Sequence, residues 1–369
     1  MKKNNILQLQ GLRGLAMLGI FVFHTKVFLV DSNRNVENFI FDQGGVIGVI
    51  IFFMLSGFLL AYKQITIPEL HWKKRIVVCR EKFHKLYLLY FITLFLSIFG
   101  DGKFPQSVSD WSYAIISLPF NLTFTQDLVP LVGINISYNG PSWYISAMFI
   151  IWFIVYSFPK VVNKINSYNK KDCFKCAVII IFTQVLYKIL EFNFPTHLIP
   201  INHPNIYMSW FSYYSPFYNL GFFMMGTIIG RLALIQNKYS ENLIYNYFLL
   251  FSIAILIYYL YNEDYFYFLK TILFEIAIGV FLLNIMIHNS LLASILTFKP
   301  LVWFGNISAS FFLLHGVINY YLRYLDSYVG KPLLFFISLF VAIILSVLSD
   351  KYLILKKDES ILRHISKTS

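Results

Sequence analysis

The chain has 369 residues, 58% of them hydrophobic and 13% charged, with 39 phenylalanines, 26 tyrosines and a net charge of +12. Soluble domains carry about 25% charged residues, and this composition leaves too little wettable surface for one soluble core. The aromatic content excludes a disordered chain, and three cysteines exclude a disulfide-stapled secreted module. What remains is an all-α polytopic membrane protein. Such a charge on a soluble protein suggests a nucleic-acid partner, so the placement of the basic residues decides what it means.

Apolar runs predict about ten spans, near 7–30, 44–63, 83–99, 141–158, 174–190, 216–234, 244–261, 267–287, 303–322 and 333–353. The first follows Lys2 and Lys3 but contains Arg13 and ends in His24-Thr25-Lys26. It reads as a retained anchor and not a cleaved leader. The loop after the second span holds Lys63, Lys73, Lys74, Arg75, Arg80 and Lys82. Lys160, Lys164, Lys170 and Lys171 follow the fourth, Arg231 and Lys238 the sixth, and Lys299 the eighth. Lys356, Lys357, Arg363 and Lys367 close the chain. The alternate loops lean acidic or neutral, with Asp31, Glu37 and Asp42 in the first, Asp101, Asp110 and Asp127 in 100–140, and Glu263 and Asp264 before the eighth span; only the last, with Arg323 and Lys331 against Asp326, leans basic. By the positive-inside rule both termini are cytoplasmic. The basic charge is therefore mostly an orientation signal, and no nucleic-acid partner is expected. Residues 1–355 read as one membrane domain, and 356–369 as a short basic cytoplasmic tail.

An ionisable residue inside a span is a functional candidate because its burial is costly. Arg13 and His24 lie eleven residues apart, which brings them within about 20° of one helix face and about 16 Å apart along the axis. Two readings fit that spacing. The pair can form a functional face, or Arg13 can snorkel inward while His24 sits among the outer headgroups. In the second span, Ser56-Gly57 is a small pair that lets another helix backbone come close. Glu275 falls inside the eighth span, and Glu191 ends the fifth; either carboxylate is a candidate to orient His24. Cys173-x-x-Cys176 with Cys79 falls short of four zinc ligands, so no metal site is expected. His197, His203, Trp210, Tyr213 and Tyr214 form an outer aromatic segment that suits either sugar stacking or an interfacial belt.

The Arg-x10-His spacing and Phe52-Phe53-Met54-Leu55-Ser56-Gly57 together resemble the acyltransferase 3 family of integral-membrane O-acyltransferases that modify cell-envelope glycans. Gly44-Gly45-Val46-Ile47-Gly48-Val49 is similar to the family's lead into that motif. Lys82-Phe83-His84-Lys85 resembles its basic-x-x-basic motif, with lysines replacing the usual arginines and so losing the bidentate fork. Pro141-Ser142-Trp143-Tyr144 resembles its Trp-centred motif, and Phe304 to His315 its late Ile-Ser…His segment. The acidic residue that often follows the Trp motif is absent, with Ala147-Met148 in that region.

The resemblance implies ten spans with both ends inside, acetyl-CoA as the cytosolic donor, and a polysaccharide or lipid-linked glycan acceptor outside. No bound cofactor is implied. It makes His24 the base or the transient acyl carrier; an ordinary imidazole, with a pKa of about 6.5, is available as a neutral base at pH 7. Arg13 stays protonated and is a fixed charge for the donor or pocket, and Ser56 a hydrogen-bonding hydroxyl. Lys82 and Lys85 would meet the donor phosphates, with Arg80 added on charge alone, and Trp143 and Tyr144 would meet the acceptor. The expected setting is a bacterial plasma membrane, with glycan-synthesis machinery or a separate transfer partner nearby. The competing function is a polytopic exporter of glycans or small molecules; against it, the hydropathy pattern shows no inverted repeat.

Overall fold

The computed structural model describes residues 3–29, 35–99, 108–192, 210–236, 267–287 and 291–353. Among these residues every regular element is a helix. Eleven helices run for twelve residues or more: α1 Lys3–Thr25, α2 Asn35–Tyr62, α3 Trp72–Phe83, α4 Tyr87–Ile98, α5 Val108–Thr123, α6 Trp143–Ser157, α7 Lys170–Phe192, α8 Pro216–Ile235, α9 Tyr267–Ile287, α10 Lys299–Leu322 and α11 Lys331–Tyr352. Several start on proline at the first helical positions, as in Pro216, Pro300 and Pro332, where a missing N–H costs nothing and the fixed φ already suits a helix.

Eight of the eleven are long and apolar enough to cross a bilayer: α1, α2 and α6 to α11. They coincide with eight of the ten expected spans. The expected span at 244–261 lies outside the described residues. The one expected at 83–99 is helical through Ile98 and continues directly from α3. Its charged start, His84-Lys85-Leu86, is a 3-10 turn, and α4 proper has 12 residues. Together with α3 and that turn it forms one helical run over 72–98. The stretch 100–140, read as an outer loop, also contains the 16-residue α5.

Three glycine-lined crossings build the centre. α2 packs on α8, and α1 packs on both α10 and α2. A Cβ at Gly57 would stand 1.8 Å from the Phe223 carbonyl oxygen, and one at Gly226 2.0 Å from that of Met54. Both backbones are in contact, so no larger side chain fits. α7 and α11 are peripheral, with Phe174, Phe182, Phe336 and Phe340 exposed on their outer sides, as lipid-facing surfaces should be.

The contacts sort the chain ends onto two faces. On one, Tyr321 at the end of α10 donates to the Leu96 carbonyl near the end of α4, and the Gly140 amide before α6 donates to Tyr320. On the other, Asn163 after α6 exchanges hydrogen bonds with Ile67 after α2, and Arg231 near the end of α8 donates to the Tyr168 carbonyl before α7. This is the alternation of loops expected from the charges, with the basic loops on the second face.

Candidate active site

On the basic face, α1, α2, α3, α6 and α10 enclose a cavity of about 350 Å³, within the usual range for small-molecule sites. Arg13, Ser56, Lys82, Tyr144, Trp152 and Phe312 line it. The Lys82 Nζ stands 3.6 Å from the centre of the Trp152 ring. A cation at that distance is held by the negative face of the indole, so Lys82 is anchored at the rim while its side chain stays exposed. Ser56 and Gly57 divide their tasks because adjacent helical residues point about 100° apart. Gly57 meets α8, while Ser56 faces the cavity and donates to the Phe52 carbonyl at 2.9 Å. Tyr144 packs on Phe53 with ring centres 4.7 Å apart and on Phe312 at 5.5 Å.

His24 does not line this cavity. It is one residue from the end of α1, where the following 3-10 turn is tied to α2 by the ion pair between Lys26 and Asp42. Its ring meets His315 of α10, with centres 5.1 Å apart and planes tilted by 58°. His315 is fully buried. Its Nδ1 lies 3.2 Å from the Phe311 carbonyl oxygen, and its Nε2 has no hydrogen-bond partner. Phe312 joins the two regions: it lines the cavity and stands 5.8 Å from the His315 ring. Arg13 and His24 thus share a helix face, as their spacing predicts, with Arg13 in the cavity and His24 beyond its aromatic end wall.

The other expected residues separate. Arg80 contacts Tyr87 at 3.3 Å, and neither it nor Lys85 lines the cavity. Trp143 is buried and packs on Tyr213 and Tyr214 at 5.1 and 5.0 Å, so it belongs to a neighbouring aromatic cluster and only Tyr144 of the two faces the cavity. Glu275 is buried against Gln184 of α7, and the group meeting the His24 ring is His315 instead. Glu191 and the aromatic His197 and His203 fall among residues whose side chains or backbone are outside the description. Cys79, Cys173 and Cys176 are free thiols.

Sequence reasoning missed the pairing of His315 with His24 and the part of Trp152 in holding Lys82. An ionisable residue inside an apolar span was the available signal for His315, but its partner lies 291 positions away. A further buried group is Asp127, beyond the other end of α6. Its backbone amide donates to Ser146, and burial pushes its carboxyl well above the ordinary carboxylate range, against a smaller pull from the Ala147 amide.

A family model described as an acyltransferase domain matches residues 6–350. An acyltransferase of Streptomyces mycarofaciens, MdmB, is 24% identical over 235 residues, which cover 61% of this chain and 56% of that protein. The match thus spans just over half the length of this curated relative. No solved structure matches the chain.

Proposed function

The chain belongs to the acyltransferase 3 family, and from that premise we propose that it is a membrane-bound O-acetyltransferase. It moves an acetyl group from cytosolic acetyl-CoA to a sugar hydroxyl of an extracytoplasmic polysaccharide or its lipid-linked precursor. The observation that carries this reading is the cavity on the basic face, with Arg13 inside and Lys82 at its rim. Two cations beside an apolar, aromatic-walled space suit a donor that has phosphates at one end and a neutral thioester at the other.

Acyl transfer to a hydroxyl needs a base and a stabiliser for the developing oxyanion. In this reading His24, on the opposite face, takes the hydroxyl proton or carries the acetyl group. Arg13 and Ser56 supply fixed positive charge and a hydroxyl along the donor's path. Tyr144 is the cavity residue nearest in kind to an acceptor contact, through its ring face.

The test is His24→Ala in the host cell, read as O-acetyl content per repeat of the envelope glycan by its NMR acetyl signal. Acetyl content should fall by at least about 100-fold, the scale of a lost general base, with the protein present at normal level. Unchanged acetylation would sink the assignment. An exporter would instead lose surface glycan while its acetyl content per repeat stayed intact.

A further inference from the structure

We propose that His315 is the proton partner of His24: a positioning residue whose free ring nitrogen accepts from the imidazolium that His24 becomes when it takes the acceptor's proton. The proposal rests on the reading of His24 as a base, and it adds a residue of α10 that works through it.

The geometry defines the protonation state of His315. The Phe311 carbonyl, 3.2 Å from Nδ1, can only accept, so Nδ1 carries the proton. In the neutral ring Nε2 then holds a lone pair. That nitrogen is fully buried and has no hydrogen-bond partner, an arrangement rare enough in folded proteins to need an explanation. The His24 ring lies 5.1 Å away, centre to centre, with its plane tilted by 58°, close enough for a side-chain rotation to bring the two rings within hydrogen-bond reach.

The surroundings favour one proton shared by two rings. Phe23, Phe311 and Phe312 pack around the pair, so an imidazolium at the half-buried His24 is poorly solvated on those sides. Arg323, at the end of α10, is within electrostatic reach of His24 and is itself a cation. Two adjacent imidazolium ions are disfavoured by like-charge repulsion. A neutral acceptor at Nε2 stabilises one.

The step balances within the proposed reaction. The hydroxyl O–H breaks and its proton goes to His24. The alkoxide oxygen bonds to the acetyl carbonyl carbon, the carbon–sulfur bond breaks, and the departing CoA thiolate takes the proton back from the histidine pair.

The experiment uses the full chain purified in detergent, with acetyl-CoA as donor and the host's envelope glycan fraction as acceptor, read as CoA thiol release. His315→Phe fills the site without an acceptor atom, and His315→Gln keeps one. We expect His315→Phe to lose about 10- to 100-fold in kcat with KM for acetyl-CoA within about twofold and an unchanged melting temperature. His315→Gln should be about tenfold faster than His315→Phe, and added imidazole should restore His315→Ala. Equal rates for His315→Phe and His315→Gln, or a His315→Phe rate within twofold of the parent, would overturn the proposal. A His24→Ala variant of full activity would instead overturn the base reading on which it rests.

Discussion

Lys82 and Lys85 are three residues apart and carry the same charge, yet only Lys82 reaches the cavity, held over Trp152. Substitution should separate them. Lys82→Ala should raise KM for acetyl-CoA about tenfold, the worth of one charge-assisted contact to a phosphate, and Lys85→Ala should leave it within about twofold. Steady-state kinetics with acetyl-CoA as the varied substrate checks this, and equal effects would return both lysines to membrane orientation. The difference was not legible in the sequence, because the basic-x-x-basic spacing treats the two positions alike. What separates them is an indole 70 residues later. The shared face of Arg13 and His24 was legible, because helical periodicity alone sets it. The pairing of His24 with His315 was not, because it depends on how α1 packs against α10.

Among the elements, α2 and α8 cross with almost no tolerance. Gly57 and Gly226 face backbone carbonyls at 1.8 and 2.0 Å from where a Cβ would sit, and backbone cannot rotate away as a side chain can. Gly57→Leu should therefore destabilise the bundle by at least about 1–3 kcal/mol through overpacking, seen as a fall in melting temperature in detergent. Gly330→Ala is the control: it precedes α11 with nothing within 4 Å, and its melting temperature should stay near the parent's. The Ser-Gly pair announced a close helix contact in the sequence. The short α4 was less readable, because an apolar run of span-like length does not reveal that its first residues, His84-Lys85-Leu86, tighten into a 3-10 turn.

For the whole molecule, loop charges and packing agree on which ends lie together, and labelling can say which face is which. An impermeant maleimide added to intact cells should label a cysteine at Leu128→Cys, in the turn after α5. It should label Ser167→Cys, in the turn before α7, only after permeabilisation. Both positions are exposed. The native Cys79 should stay silent on either side, since burial pushes its thiol up to about 12 and so leaves almost no reactive thiolate at neutral pH. The reverse labelling pattern would invert the orientation and move the Lys82 cavity away from cytosolic acetyl-CoA.

The aromatic wall formed by Tyr144 and Phe312 has a consequence at this same scale. The cavity on the basic face and the histidines on the other would together make a polar track through most of the bilayer if they were continuous. Two packed rings interrupt it. Under the proposed function such a plug would keep protons and small cations from running down the membrane potential through the protein. In that reading the catalyst serves both faces of a bilayer and must remain an electrical insulator, and a tyrosine and a phenylalanine would supply the dielectric.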